Sequence, residues 1–130
     1  MQIEKVKFED AIPIKKMLSK SNAIVNRSKL LPEILSHIES DNSICMKIID
    51  KDNNILCVWL SKEFEKITSL SYFFIAEELR TMLIVIIFVK ECLSHINRDK
   101  PIIITTKDTT GFDKYVEKIN DTQYLFKGFR

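Results

Sequence analysis

The stretch that decides the fold is Tyr72-Phe73-Phe74-Ile75-Ala76-Glu77-Glu78-Leu79-Arg80, which the apolar run Met82–Val89 follows closely. Its first four residues predict a short apolar strand. The run also suits a buried strand, but apolar residues continue at three- and four-residue spacing on both sides of it, and this favours a helix from Glu77 to His95. Such a helix is apolar on nearly all sides, so we expect it to be buried on several faces and to dominate the core.

Length and composition describe an ordinary globular protein. The chain has 130 residues, of which 45% are hydrophobic and 29% charged, and a net charge of +2. We therefore expect one domain spanning residues 1–130. The lysines are scattered and do not form a basic block, so we expect no nucleic-acid partner. The central helix is too short to cross a bilayer, and the N-terminus lacks the apolar segment of a signal peptide, so we expect a protein that is made and kept in a cytoplasm, or packaged from one.

The cysteines and glycines narrow the possible chemistry. Cys45, Cys57 and Cys92 lie in apolar runs without the paired spacing of zinc sites, so we expect buried free thiols and no metal. Gly111 and Gly128 are the only two glycines. A glycine-rich loop that cradles phosphates is therefore nearly excluded, and no nucleophile or histidine motif of a known enzyme class is present.

The rest of the chain supplies alternating strands and helices around this stretch. The expected order is strand, two helices, three strands, helix, strand, helix and strand. The second helix should carry His37 on its outer face. The predicted ranges are a strand at 2–8, helices at 10–20 and 28–40, strands at 43–49, 55–60 and 67–75, the central helix, a strand at 101–106, a short helix at 111–119 and a strand at 123–129.

This order, in a chain of this length, resembles the fold of the GCN5-related N-acetyltransferases, the GNAT family. The resemblance covers nearly the whole chain and rests on the order of the elements. It implies an α+β fold with a GNAT-like mixed sheet of about six to seven strands and four helices, in the order β-α-α-β-β-β-α-β-α-β. It also implies that acetyl-CoA, if bound, would lie against the fourth strand and third helix.

The family's pyrophosphate motif, a Gln or Arg followed after two residues by Gly, one residue, and Gly or Ala, is degraded in this chain. The matching residues contain no glycine, and Glu77 and Glu78 lie where the polyanion would dock. Like charges in direct contact repel by roughly 1 to 4 kcal/mol near a protein surface. The sequence thus predicts no acetyl-CoA binding of the usual kind. If the cofactor binds, the resemblance assigns it to Leu79, Arg80, Thr81 and Met82. The simpler role for Arg80 is an exposed ion pair with Glu77 or Glu78.

The family's second signature combines an Asn, a small residue three positions later and a Tyr seven positions later that protonates the leaving thiolate. One alignment places the Asn position on Thr109 and the Tyr position on Val116. Shifting it by one residue places them on Asp108 and Tyr115, with Gly111 at the small position. Under the shifted alignment Tyr115 is the catalytic acid. Its simpler role is to pack its ring on the edge of the sheet.

Three functions remain open from the sequence. The first is a non-catalytic GNAT-fold protein that acts through assembly with protein partners or itself. Its pattern of apolar strand, glycine-free joint, long helix and Lys-Ile-Asn turn is similar to that of acetyltransferase-like accessory and internal virion proteins of T7-like podophages. The second is an active acyl-CoA-dependent N-acetyltransferase with an atypical cofactor loop, using Tyr115 as acid. The third is an unrelated α+β binding module, which requires Met82–Val89 to be a strand.

Overall fold

Seven strands form one mixed sheet in the computed structural model, which describes residues 1–80, 83–110 and 112–128. The spatial order is β1-β2-β3-β4-β5-β7-β6, and every neighbouring pair is antiparallel except β4 and β5, which are parallel. The strands are β1 (Gln2–Lys5), β2 (Ser43–Ile49), β3 (Ile55–Glu63), β4 (Thr68–Ile75), β5 (Ile102–Thr105), β6 (Val116–Lys118) and β7 (Gln123–Phe126). The α+β class and the mixed sheet of about six to seven strands predicted from the sequence are confirmed.

Three helices cover the two faces of this sheet. They are α1 (Ala11–Leu18), α2 (Leu30–Glu39) and α3 (Leu83–Ser94). Ile14 of α1 and Ile34 of α2 are buried in a cluster with Leu60, whereas Phe88 and Cys92 of α3 are buried in a second cluster on the other face of the sheet. Because side chains alternate along each strand, β3 contributes to both clusters.

The central helix is confirmed, although it begins later than the sequence predicts. Glu77–Leu79 forms a 3-10 turn, and the α-helix runs from Leu83 to Ser94. The alternative in which the run Met82–Val89 is a strand is therefore wrong, and with it the unrelated α+β module, although Met82 itself lies outside the described residues. No helix in the described ranges is long and apolar enough to cross a membrane.

The predicted fourth helix, Gly111–Ile119, is wrong. Asp113–Tyr115 forms a 3-10 turn, and Val116–Lys118 is the edge strand β6, which pairs with β7. The side chain of Asn120 decides this, because its Oδ1 accepts hydrogen bonds from the backbone N–H groups of Thr122 (3.0 Å) and Gln123 (2.9 Å). This local turn closes a hairpin and stops a helix from continuing. Gly111 lies outside the described residues.

Two polar side chains, Asp10 and His37, have environments that the sequence does not indicate. Asp10 precedes α1, but its carboxylate makes no capping bond to that helix. It accepts hydrogen bonds from Lys7 N–H and from Nζ of the buried Lys47, each at 2.7 Å. His37 does not face solvent as expected, because its side chain lies between α2 and the sheet and is 3% exposed.

Candidate functional site where two strands diverge

The parallel strands β4 and β5 pair over only three residues and then separate. Their register runs from Thr68↔Ile102 to Leu70↔Ile104, yet β4 continues to Ile75. The register between β3 and β4 shifts at this point, leaving Ser71 as an extra residue. A bulge of this kind bends its strand, so β4 turns away from β5. Beyond these three pairs β4 has no partner strand on its β5 side in the described residues, and we call this region, at the carboxyl ends of β4 and β5, the gap.

The edge of β4 that faces this gap carries backbone groups that β3 does not use. Ala76 N–H donates to Leu56 C=O at 2.8 Å, and antiparallel pairs alternate between bonded and non-bonded. The next non-bonded positions, Ile75 and Phe73, therefore direct their N–H and C=O groups away from β3. Consistently, Ile75 C=O accepts a hydrogen bond from Nε of Arg80 (3.3 Å). This edge can pair with another extended chain.

The residues that join β4 to α3 form hydrogen bonds with one another. Leu79 N–H donates to Ala76 C=O (2.9 Å), and Arg80 N–H donates to Glu77 C=O (3.3 Å). Leu79 is fully buried. Two of the four backbone N–H groups assigned to a pyrophosphate are thus already bonded within the turn. The other two, on Thr81 and Met82, lie outside the described residues.

Arg80 follows β4 and Asp108 follows β5, and the charge of Arg80 acts on the carboxylate of Asp108. Asp108 Oδ1 accepts hydrogen bonds from the N–H (2.9 Å) and Oγ1 (2.6 Å) of Thr110. These bonds, together with the positive charge of Arg80, hold the pKa of Asp108 below its usual range. Arg80 Nε donates to Ile75 C=O, and the carboxylate of Asp108 is close enough to interact with its charge. The positive charge of Arg80 is therefore partly offset before any ligand binds.

The joint after β4 also carries two negative charges. Glu77 and Glu78 are exposed, and within the described part of the chain neither forms an ion pair. The pairing with Arg80 expected from the sequence is therefore not formed there, and Arg80 lies near Asp108 instead. Two carboxylates without a cationic partner favour a positively charged ligand over a polyanion.

Tyr115 lies far from this gap along the sheet. It directly precedes Val116, which pairs with Phe126, and its C=O accepts a hydrogen bond from Lys127 N–H (2.7 Å). Strand β7 pairs with β5 in the register Thr105↔Gln123 and with β6 in the register Val116↔Phe126. Tyr115 is therefore level with the beginning of β5, roughly 10 Å along the strand from the carboxyl end of β5. Its ring is half-buried, with Nζ of Lys114 at 5.1 Å from its centroid. The backbone thus brings Arg80 and Asp108 together but not Tyr115, whose catalytic role stays a prediction.

A polar cluster that the sequence did not reveal joins α2 to β4. His37 Nδ1 donates to Glu33 C=O (2.7 Å), and Tyr72 Oη donates to Glu33 Oε2 (3.0 Å). The rings of His37 and Tyr72 meet edge to face at 5.9 Å. His37 Nε2 is buried without a hydrogen-bond partner in the described part of the chain. Burial and the charge of Lys62 lower the pKa of His37 despite the nearby Glu33.

The outer face of α3 remains apolar over its first two turns. Leu83, Ile86 and Ile87 are 68%, 38% and 48% exposed, respectively. Three- and four-residue spacing places them on one side of the helix. The prediction of an apolar helix buried on several faces thus holds for Phe88, Val89, Cys92 and Leu93 but leaves this stripe uncovered.

Several solved acetyltransferase structures share this arrangement of strands and helices. A GNAT-family acetyltransferase from Staphylococcus aureus Mu50 superposes with a TM-score of 0.73 at 12% identity, covering 97% of each chain. The chain has the GNAT fold. PaiA N-acetyltransferase from Thermoplasma acidophilum, solved with coenzyme A, gives a TM-score of 0.65 at 14% identity over 95% of each chain. Tetrahymena GCN5 gives 0.62 at 6% identity over 99% of each chain.

These likenesses concern the fold alone, because sequence similarity does not accompany them. No protein-family model and no curated protein matches the sequence. The described residues also contain no cluster of three or more His, Cys, Asp or Glu side chains that could hold a metal ion. One fold can carry many functions, so the function depends on the residues at the gap and on the surfaces beside it.

Proposed function

We propose that this chain is a non-catalytic protein of the GNAT fold that acts by binding another protein. The observation that carries the proposal is the joint after β4. Its Leu79 and Arg80 N–H groups bond within their own turn, and Glu77 and Glu78 project from it. Phosphates bind at the N-termini of helices through free N–H groups in a positive field. This joint has bonded N–H groups and two carboxylates, so it disfavours binding of the pyrophosphate of acetyl-CoA.

The outer face of α3 supports the protein-binding half of the proposal. Leu83, Ile86 and Ile87 form an exposed apolar stripe. Exposed apolar patches on soluble domains often mark the places where a partner binds. Burying each of these side chains would contribute up to roughly 1.5 to 3 kcal/mol.

Calorimetric titration with acetyl-CoA, followed by thermal unfolding in its presence, tests the non-catalytic half. We expect no heat and no rise in the unfolding midpoint at millimolar acetyl-CoA. A ligand that binds the folded state would raise the midpoint as it saturates the protein. Micromolar binding with such a rise would overturn the proposal and favour an enzyme.

The second candidate is an acyl-CoA-dependent N-acetyltransferase with an atypical cofactor loop. It is supported by the divergence of β4 from β5, together with the likeness to a PaiA structure that holds coenzyme A. Under this candidate Leu79, Arg80, Thr81 and Met82 would hold the cofactor and Tyr115 would act as the acid. Replacing Tyr115 by Phe would then abolish turnover, whereas under the first candidate it leaves partner binding unchanged.

A narrower form of the first proposal places the chain in the virion of a T7-like podophage, as an internal or accessory component. Its support is the sequence pattern of an apolar strand, a glycine-free joint, a long helix and a Lys-Ile-Asn turn. Finding the chain in purified particles by mass spectrometry would support this placement. Its absence from the particles would leave a cytoplasmic binding protein.

A further inference from the structure

The exposed side of α3 changes from apolar to polar along its length. Leu83 and Ile87 are exposed, and the exposed residues Lys90 and Ser94 follow them at three- and four-residue spacing. Residues spaced in this way lie one above the other on a helix. We call these four residues, together with Ile86 beside them, the α3 ridge. The ridge is about 16 Å long, with an apolar half at the start of the helix and a polar half at its end.

The polar half of the α3 ridge borders a surface cavity of about 440 Å³. The described residues that line this cavity are Lys90, Leu93, Ser94, Ile96, Arg98 and Gly128. Leu93 and Ile96 are buried, whereas Lys90 and Arg98 are exposed. Because β7 runs antiparallel to β5, Gly128 lies beyond the end of β7 and near the beginning of β5. The cavity is therefore at the opposite end of the fold from the gap.

The charge around this cavity is positive. Neither Lys90 nor Arg98 forms an ion pair within the described part of the chain, and the residues that line the cavity include no Asp or Glu. The adjacent Glu91 contacts His95 (3.4 Å) on another side of the helix. The Ser94 hydroxyl donates to Glu91 C=O (2.6 Å), so it is already used. The end of α3 adds only about half a negative charge, so the two cations leave a positive field that attracts a carboxylate.

A helix is the element of a partner that fits this surface. The N–H and C=O groups in the middle of α3 are bonded within the helix, so an extended segment would find no backbone groups to pair with. Helices pack with their axes about 8 to 10 Å apart, through side chains that recur every three or four residues. A partner helix would therefore match the ridge with apolar side chains over two turns and with carboxylates over the next turns.

We propose that the α3 ridge and the cavity at its end bind an amphipathic, acidic helix of a partner protein. The apolar side chains of that helix cover Leu83, Ile86 and Ile87. Its Asp or Glu side chains contact Lys90 and Arg98, which fixes its position and excludes basic helices. This inference rests on the proposed protein-binding function and names the chemistry of the partner.

The probe is an eighteen-residue helical peptide of mainly Ala and Gln, acetylated and amidated at its ends. One side carries leucines over two turns and glutamates over the next two, at three- and four-residue spacing. Since a helix can lie along α3 in either direction, both orders are made, and a second pair carries lysine in place of every glutamate. Calorimetry measures all four against the full chain. We expect a glutamate peptide to bind at least about ten-fold more tightly than its lysine counterpart.

Protein variants then locate the contact. Lys90→Glu combined with Arg98→Glu should weaken the glutamate peptide at least about ten-fold and make the lysine peptide the tighter binder. Lys15→Glu combined with Lys16→Glu makes the same change in net charge on the exposed surface of α1, and should leave the preference in place. Ile87→Asp should weaken both peptides, and circular dichroism verifies that each variant is folded.

Three results with the peptides would overturn this inference: equal binding of the glutamate and lysine forms, no binding of either glutamate peptide, or a preference that survives Lys90→Glu with Arg98→Glu. Sedimentation of the free chain tests a second copy as the occupant. Self-association that Ile87→Asp abolishes would show that the ridge binds another copy, and would also overturn the inference.

These results leave the proposed function in place as long as acetyl-CoA also fails to bind. Micromolar binding of acetyl-CoA would overturn the proposed function itself, so the two failures are distinguishable.

Discussion

At the scale of single residues, His37 is the side chain whose environment departs most from expectation. Its ring is buried, one nitrogen donates to Glu33 C=O, and the other has no partner in the described chain. Leaving a buried polar atom unpaired costs about 1 to 3 kcal/mol. Placing a proton on that nitrogen would add a buried charge near the cation of Lys62, which explains the direction of its pKa shift.

This environment predicts that acid destabilises the fold before the carboxylates titrate. The pKa of His37 is lowered from 6.5 in the folded state, so the unfolded chain takes up the proton first as pH falls. The contribution of neutral His37 to the free energy of unfolding is therefore fully present above pH 6.5. Below pH 6.5 it falls by at most about 1.4 kcal/mol per pH unit, until the pKa of His37 in the folded state is reached. Urea unfolding at several values between pH 7.5 and 5 measures this loss.

The matched variants for this prediction are His37→Phe and His95→Gln. The first keeps a ring against Tyr72 but cannot titrate, so the loss of stability between pH 6.5 and 5 should shrink. The second changes an exposed histidine that lies 3.4 Å from Glu91, and the loss should persist. An unchanged pH profile in His37→Phe would show that another group causes the loss.

At the scale of elements, α3 divides into a buried side and an uncovered side. Phe88 is fully buried, whereas the adjacent Ile87 is 48% exposed. Phe88→Ala should lower the free energy of unfolding by about 3 to 5 kcal/mol, because it removes a large core side chain and leaves a cavity. Ile87→Ala should change it by less than about 0.5 kcal/mol, as exposed positions usually do.

Chemical denaturation at two protein concentrations measures both changes. A large, concentration-dependent loss in Ile87→Ala would mean that this side chain is buried between copies of the chain in solution. A small loss in Phe88→Ala would contradict the packing of α3 against the sheet. Either result would require the assignment of the two sides of the helix to be revised.

The sequence predicted most elements because their signals are local. Apolar spacing identified α3, and the turn-rich residues between β2 and β3 identified their hairpin. Strand β6 has only three residues, too few to show a period of two, so the apolar residues around it were taken for a helix. The bulge at Ser71 depends on how β4 pairs with two neighbours at once, which no local pattern encodes. Likewise, His37 is buried against Tyr72, whose Glu33 partner lies 39 positions earlier.

At the scale of the whole molecule, one sheet separates two apolar clusters. Ile34 belongs to the cluster on the α1 and α2 side, and Trp59 belongs to the cluster on the α3 side. Strand β3 contributes buried residues to both, so we expect the clusters to unfold together. Ile34→Ala should shift the transition seen by Trp59 fluorescence as much as the one seen by far-ultraviolet circular dichroism, with a loss of about 2 to 5 kcal/mol.

Separate transitions would contradict this expectation. If the fluorescence midpoint stayed in place while the circular dichroism midpoint fell, the α3 side would be stable without α1 and α2. Ile12→Ala provides the control, because Ile12 lies on α1 but is 61% exposed. It should move neither midpoint appreciably.

The three cysteines differ in burial, so the rates at which they are modified report on opening of the core. Cys57 and Cys92 are fully buried in the α3-side cluster, while Cys45 is partly exposed. Burial raises the pKa of the Cys57 and Cys92 thiols, so neither is reactive while the core is closed. A thiol reagent would modify Cys45 first and the other two only as fast as β3 and α3 separate. The rate of the slow phase would measure how often the core opens locally, without an introduced label.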